Sequence, residues 1–284
     1  MQIDSSIVSK LHPDITVSDS AGLSGKHFPD YMIIGPQRTG TTWLSECLRL
    51  HPQVLVSRPK EVHYFNLLRM PKHPEYNSTD FNWYLKHFEE SLHRTRIKRW
   101  EMFKAYWEWY QPKVRGEATA SYAALSDDGI QSILKINPDI KIIMGIRNPI
   151  ERAWSHAKKD LARNQKRKWQ DVSETDFLTF FRDPYQLQCG HYSQLIERWK
   201  SHLSPNQFKL IQFEEIAQHP HELLMEIYAF LGVKAKRKYT QHPIVTKRVN
   251  PTSSAGVPPV YEQALRSLFQ DEIDRLASQY NIHF

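Results

Sequence analysis

The chain has 284 residues, 40% of them hydrophobic, which is enough to bury a full core and fits one large α/β domain better than two small ones. A net charge of +7 and a pI near 9.2 favour anionic partners, whether a nucleotide, a sulfated or acidic substrate, or nucleic acid. Cys47 and Cys189 are too few for a disulfide framework or thiolate zinc site, and the opening Met-Gln-Ile-Asp-Ser-Ser lacks the basic run and apolar core of a secretory signal.

No stretch approaches the roughly 20 apolar residues of a membrane span. A soluble cytoplasmic protein without stable membrane insertion is therefore expected, with both cysteines buried as apolar residues. Residues 1–30 are polar and carry no long apolar period, so they are expected to form an irregular arm before a domain spanning residues 31–284.

From Tyr31 onward, short apolar runs alternate with helix-length segments, the pattern of a central parallel sheet flanked by helices. Strands are predicted at Tyr31–Ile34, Val54–Val56, Val114–Glu117, Ile140–Ile146 and Phe208–Phe213. Helices are predicted at Gly40–Leu50, Phe81–Phe88, Gly129–Lys135, Ile150–Arg163, Tyr192–Leu203, His221–Leu231 and Val260–Tyr280. Basic runs at Arg94–Arg99, Lys158–Lys168 and Lys234–Lys238 are solvated faces or an electropositive rim for an anionic acceptor. The cluster from Trp100 to Tyr110 is either core or an aromatic platform for an acceptor.

The run Tyr31-Met-Ile-Ile-Gly-Pro-Gln-Arg-Thr-Gly-Thr-Thr-Trp43 carries the chemistry. An apolar strand enters a loop whose Gly35 and Gly40 have the separation of a phosphate-cradling P-loop, followed by a helix whose free N–H groups and dipole face the loop. A nucleoside triphosphatase places Lys after the second glycine; here Thr41 and Thr42 follow, and the one cation is Arg38, inside the loop. The second diagnostic strand of such an enzyme ends in a magnesium-binding Asp. Here Ile140-Lys-Ile-Ile-Met-Gly-Ile ends in Arg147-Asn-Pro, where Pro149 opens a helix that carries Ser155 two turns along. A cation replaces the metal-binding anion, so the predicted ligand is a phosphorylated nucleotide other than ATP, with Arg147 and Ser155 gripping a second phosphate. No His, Asp or Glu set has convincing metal-ligand spacing, and no metal is predicted.

These residues resemble the sulfotransferases that use 3′-phosphoadenosine 5′-phosphosulfate (PAPS), especially the branch containing the heparan sulfate sulfotransferases. The 33–42 loop is similar to that family's 5′-phosphosulfate loop, and Arg147-Asn-Pro-Ile-Glu-Arg-Ala-Trp-Ser155 to its 3′-phosphate motif. The resemblance continues in family order through Glu61-Val-His-Tyr-Phe65, Glu117-Ala-Thr-Ala-Ser-Tyr122 and Gly190-His-Tyr-Ser-Gln-Leu-Ile-Glu-Arg-Trp199. It implies a P-loop-like sulfotransferase fold, PAPS as cosubstrate, and adenosine 3′,5′-bisphosphate (PAP) as product. It also implies PAPS contacts from Gln37, Arg38, Thr39, Gly40, Thr41, Thr42, Arg147, Ser155 and Tyr192, and from Lys247 and Arg248 in a late loop. Two positions depart from the family pattern, Arg38 and Ala118, where lysine is usual.

Transfer to a hydroxyl needs a base, and Glu61, just after a predicted strand end, matches the glutamate that serves this family. His63 either orients the acceptor or shares its proton, or is a hydrogen-bonded packing residue; Lys60 either neutralises developing sulfonate charge or is a solvated loop cation; and Trp199 is expected to pack in the core. Arg38 supplies permanent charge to a leaving phosphate but donates no proton. A carbohydrate or small-molecule acceptor is expected, and no nucleic-acid partner. The alternatives are a P-loop nucleotide kinase, disfavoured by the residues after Gly40 and by Arg147, and a non-catalytic nucleotide- or nucleic-acid-binding module in which Glu61 is dispensable.

Overall fold

The computed structural model describes residues 1–247 and 256–284. Five strands, β1 (Tyr31–Ile34), β2 (Val54–Val56), β3 (Val114–Ala118), β4 (Lys141–Ile146) and β5 (Phe208–Gln212), form one sheet in the order β2-β3-β1-β4-β5. Every pairing is parallel, with Ile33 opposite Ala118 on one side and Ile143 on the other. Strand β1 leads outward to β2 and β4 leads the other way to β5. The chain thus reverses direction between β1 and β4, and open α/β sheets carry their ligand crevice beyond the carboxyl ends of the strands at such a switch point.

The helices are α1 (Thr41–Leu48), α2 (Phe81–Leu85), α3 (Leu92–Tyr106), α4 (Asp127–Ile136), α5 (Pro149–Ala157), α6 (Glu174–Phe181), α7 (Pro184–Gly190), α8 (Tyr192–His202), α9 (Phe213–Gln218), α10 (Pro220–Leu231) and α11 (Pro259–Tyr280). Side chains alternate across the strands. Met32, Ile34, Ile142, Met144 and Ile146 pack on one face, against α4 and α8, while Tyr31, Ile33, Val54, Ala118 and Ile143 pack on the other, against α1 and α10. A third cluster joins α5, α6 and α11 through Trp154, Phe177 and Phe269.

The predicted strands and helices are all present, with ends moved by a few residues. Ser126 caps α4 by accepting the Gly129 N–H, which starts that helix before the predicted Gly129. The predicted Ile150–Arg163 helix is α for Pro149–Ala157 and then widens into a π turn at Lys158–Ala162. Four helices were not anticipated: α3, α6, α7 and α9. The arm at residues 1–30 is irregular, with two short 3₁₀ turns, but Ile3, Ile7, Leu23 and Phe28 are buried in the first cluster. Among the described residues no helix is long and apolar enough to cross a membrane.

Candidate active site

The loop between β1 and α1 takes its shape from close backbone approach. Gly35 has φ 131° and Gly40 φ 92°, and a Cβ on Gly35 would lie 2.5 Å from the Gly145 carbonyl oxygen of β4. Gly145 is equally constrained, since its Cβ would lie 2.8 Å from the Thr39 carbonyl oxygen. Thr39, wholly buried, donates its hydroxyl to the Pro36 carbonyl at 2.8 Å and braces the turn. No side chain caps α1, so its first N–H groups lack the partner that a capping residue provides elsewhere. Thr41, Thr42 and Trp43 of that first turn line a cleft of about 550 Å³.

The second wall comes from β4 and α5. Asn148 caps α5 by accepting the N–H groups of Ile150 and Glu151, with Pro149 in the first turn, and this sets the angle at which α5 leaves the sheet. Arg38 Nε donates to Ser155 Oγ at 2.8 Å, so the two motifs meet across 117 residues of chain. Arg147 pairs with Glu151 at 2.6 Å and lies 4.4 Å over the Phe213 ring, while its Nε is buried without a hydrogen-bond partner among the described residues. Burial, with Arg163 and Arg147 nearby, pushes the Arg38 guanidinium down to about 10, still charged at neutral pH. Lys158 is pushed down by burial and by the charges of Arg147 and Arg38. Arg38 and Arg147 thus bring positive charge to the cleft lining, with Lys158 close to both.

Helix α9 closes the cleft opposite, bringing Phe213 and Ile216, and Lys247 stands at its rim. A Cβ on Gly40 would lie 2.3 Å from Ile216, which shows how closely α9 covers the loop. Arg248 lies outside the described residues. Gln37 points to α7, exchanging hydrogen bonds with the Tyr185 hydroxyl at 2.8 and 3.1 Å. Tyr192 is wholly buried in the first core cluster and does not line the cleft; the charges of Arg152 and Arg147 reach its hydroxyl from nearby. Trp199 is core, donating its indole N–H to the Ala123 carbonyl. Ala118 packs in the second cluster.

Glu61 sits at the carboxyl end of β3. Its segment runs on from β2 and is pinned there by Ser57 N–H to the Gly116 carbonyl and Glu61 N–H to the Ala118 carbonyl, at 2.8 and 2.9 Å. The Glu61 carboxylate accepts the Ala120 N–H at 2.7 Å and pairs with the adjacent Lys60 ammonium. Since Thr119 N–H bonds the Ile33 carbonyl at 3.1 Å, this carboxylate stands beside the strand that opens into the Gly35 loop. Glu61 and His63 both have left-handed backbones, φ 61° and 54°, which cost on the order of 1–3 kcal/mol each where a side chain adopts a sparsely populated region. His63 faces two carboxylates, Glu75 at 3.4 Å and Glu61 at 4.0 Å, and its other ring nitrogen meets Ser121 Oγ at 3.1 Å.

Beneath this segment lies the carboxyl that opens the Glu117–Tyr122 motif, a position to which residue type and spacing assign no role. Glu117 is completely buried; it accepts hydroxyl hydrogen bonds from Tyr84 and from Thr119, the latter at 2.7 Å. Thr119 Oγ1 in turn accepts the Val62 N–H at 3.1 Å, one residue from Glu61. Burial, opposed by those hydrogen bonds and reinforced by the Glu61 charge, pushes Glu117 up to about 7. Other contributors also escaped the sequence: Phe213, predicted as the end of a strand, and Lys158, visible only as part of a basic run. Cys47 and Cys189 are buried free thiols, and among the described residues no three His, Cys, Asp or Glu side chains converge to hold a metal ion.

The parallel sheet, its switch point and the glycine-bounded loop define an α/β protein of the P-loop-like kind. The model of the sulfotransferase family matches residues 29–237, and the chain belongs to that family. It is 25% identical over 245 residues to the human bifunctional heparan sulfate N-deacetylase/N-sulfotransferase 2, a match covering 82% of this chain and 25% of that protein. With mouse carbohydrate sulfotransferase 15 it shares 25% identity over 309 residues, covering 90% of this chain and 54% of the relative. The chain thus spans between about a quarter and about half of the length of these curated relatives. Among solved structures, a sulfotransferase from Alicyclobacillus acidocaldarius superposes with TM-score 0.60 at 23% identity, over 91% of this chain and 98% of that one. A mouse sulfotransferase complexed with PAP superposes with TM-score 0.50 at 17% identity, over 89% and 88%. These two likenesses speak to the fold.

Proposed function

We propose that this protein moves the sulfuryl group of PAPS to an acceptor hydroxyl, with Glu61 as base. The observation that carries the reading is the Arg38–Ser155 hydrogen bond, which joins the glycine-bounded loop to the motif after β4 in one cationic cleft. The residues fit a doubly anionic nucleotide: an uncapped helix start, a buried guanidinium nitrogen on Arg147 awaiting an acceptor, and arginine where a metal-binding acid would stand. Thr41, Thr42 and Arg38 would hold the 5′ end, and Arg147, Ser155 and Lys247 the 3′ phosphate. Bound there, PAPS supplies the sulfuryl group and a phosphate leaving group, whose second pKa of about 6 lets it depart without a proton.

Glu61 takes the acceptor's proton as its oxygen forms the bond to sulfur and the sulfur–oxygen bond to the 5′-phosphate breaks. Arg38 balances the charge that collects on the departing phosphate. Lys60 faces the sulfonate, and His63, held between carboxylates, orients the acceptor hydroxyl. A carbohydrate acceptor is the favoured class because the curated relatives are named for heparan sulfate and carbohydrate sulfation.

Glu61→Gln tests this assignment, since a positioned base contributes about 10²–10⁴-fold. Transfer of labelled sulfate from PAPS to a panel of sugars, lipids and phenols should fall by that factor while PAP binding persists. Wild-type turnover in the variant would refute the role of Glu61.

A further inference from the structure

We propose that the aromatic ladder on the outer side of α3, with the lysines beside it, is a peripheral docking surface for an anionic lipid bilayer. Helix α3 buries one line of side chains four residues apart, Lys98, Met102 and Tyr106, half-buries Thr95 and Phe103, and leaves the others exposed. Trp100, Trp107 and Trp109 are 55%, 81% and 61% exposed. These indoles form a contiguous patch rather than scattered apolar residues. Trp100 stacks on Phe103 at 6.3 Å, Phe103 stacks on Trp109 at 4.6 Å, and Trp107 meets Phe103 edge-on at 5.3 Å. Exposed apolar patches of this kind mark interaction sites.

The charges around the patch choose its partner. Arg94, Arg96, Arg99 and Lys104 are exposed on α3. Between Trp107 and Trp109 in the chain, the single carboxylate of Glu108 meets three ammonium groups, Lys234 at 2.8 Å, Lys236 at 3.0 Å and Lys238 at 2.7 Å. A surplus of positive charge therefore borders the indoles, and pairing this face with a second copy of the chain would set those cations against one another. Sugars and nucleobases stack on free ring faces. Here Phe103 stacks on Trp109 and the Lys104 ammonium lies 4.8 Å over Trp100, so those two indoles each have a ring face already engaged. Exposed indoles at headgroup depth, flanked by lysine and arginine, suit the interface of an anionic bilayer.

The placement leaves the cleft open. The segment after α3 enters β3 at the amino ends of the strands, with Gln111 N–H on the Pro52 carbonyl and Lys113 N–H on the Gln53 carbonyl, both at 2.8 Å. The Arg38 and Arg147 cleft lies at the carboxyl ends. Docking is thus independent of the transfer reading and would hold if that reading failed.

Co-sedimentation of the full chain with vesicles tests the inference. Binding is expected to phosphatidylcholine–phosphatidylserine vesicles and not to phosphatidylcholine alone, with a blue shift of tryptophan emission and release by salt. The double variant Trp107→Ser, Trp109→Ser, checked for an unchanged melting temperature, should lower the bound-to-free ratio about tenfold or more. Lys104→Glu, an exposed change that should leave folding intact, should weaken binding in the same direction. Absence of binding to the mixed vesicles would overturn the proposal, as would binding that neither set of changes weakens. Tryptophan-dependent retention on heparin, or a tryptophan-dependent dimer, without vesicle binding would overturn it by giving the surface to a polysaccharide or to a second copy.

Discussion

Glu117 shows how much of this site rests on a residue that never faces the cleft. Its carboxyl ionises near 7 in the folded chain against an ordinary value of 4.5, so between those values the folded state holds a proton that the unfolded state has lost. That contribution to stability is complete below about pH 4.5 and falls away as pH rises through about 7, a difference on the order of 3 kcal/mol. Glu117→Gln should remove it: the melting temperature of the variant relative to wild type should rise between about pH 4.5 and 7 and then level off, and a constant offset would contradict the burial argument. Arg147 belongs to the same scale. Hydrogen bonds to charged groups contribute about 1.5–3 kcal/mol, so Arg147→Ala should weaken PAP binding roughly 10- to 100-fold in calorimetry. Glu61, Arg38, Arg147 and Ser155 were legible as residue types at motif spacing. The Glu117–Thr119–Val62 relay was not, because its Tyr84 donor lies 33 residues away and no local pattern announces it.

At the scale of elements, the site depends on two strand ends approaching more closely than side chains allow. Gly145→Ala sets a Cβ 2.8 Å from the Thr39 carbonyl, and overpacking of this kind costs about 1–3 kcal/mol. Chemical denaturation should show that loss together with weakened PAP binding, whereas Gly232→Ala, at a left-handed helix end with nothing within 4 Å, should affect stability alone. Strands β1, β2 and β4 were visible in the sequence as apolar runs bounded by polar or turn-forming residues, whereas β3, Val-Arg-Gly-Glu-Ala, and β5, Phe-Lys-Leu-Ile-Gln, carry charged or polar residues among the apolar ones. Helix α9 was not, because Phe213 continues the apolar run of β5 and the turn is set by a reciprocal Gln212–Glu215 capping box. Helix α3 escaped for the opposite reason: its apolar residues are interspersed with charged ones and one of its three buried positions is Lys98, so the apolar period that identifies helices is missing.

For the whole molecule, the parallel order β2-β3-β1-β4-β5 brings together loops from residues 35–40, 57–65, 147–155 and 213–218 at one end of the sheet. The fold class was legible from alternation alone, and the meeting of Arg38 with Ser155 emerged only from the packing of α5 against the first loop. In the proposed reading, protein cations in place of a divalent ion hold both anionic ends of one adenosine nucleotide. Thermal denaturation with added ligand tests it most directly, because a ligand that binds the native state raises its melting temperature by mass action. In EDTA, PAP should raise the melting temperature of this protein, and ATP with magnesium, tested without chelator, should not. Stabilisation by ATP with magnesium, with none by PAP, would contradict the account.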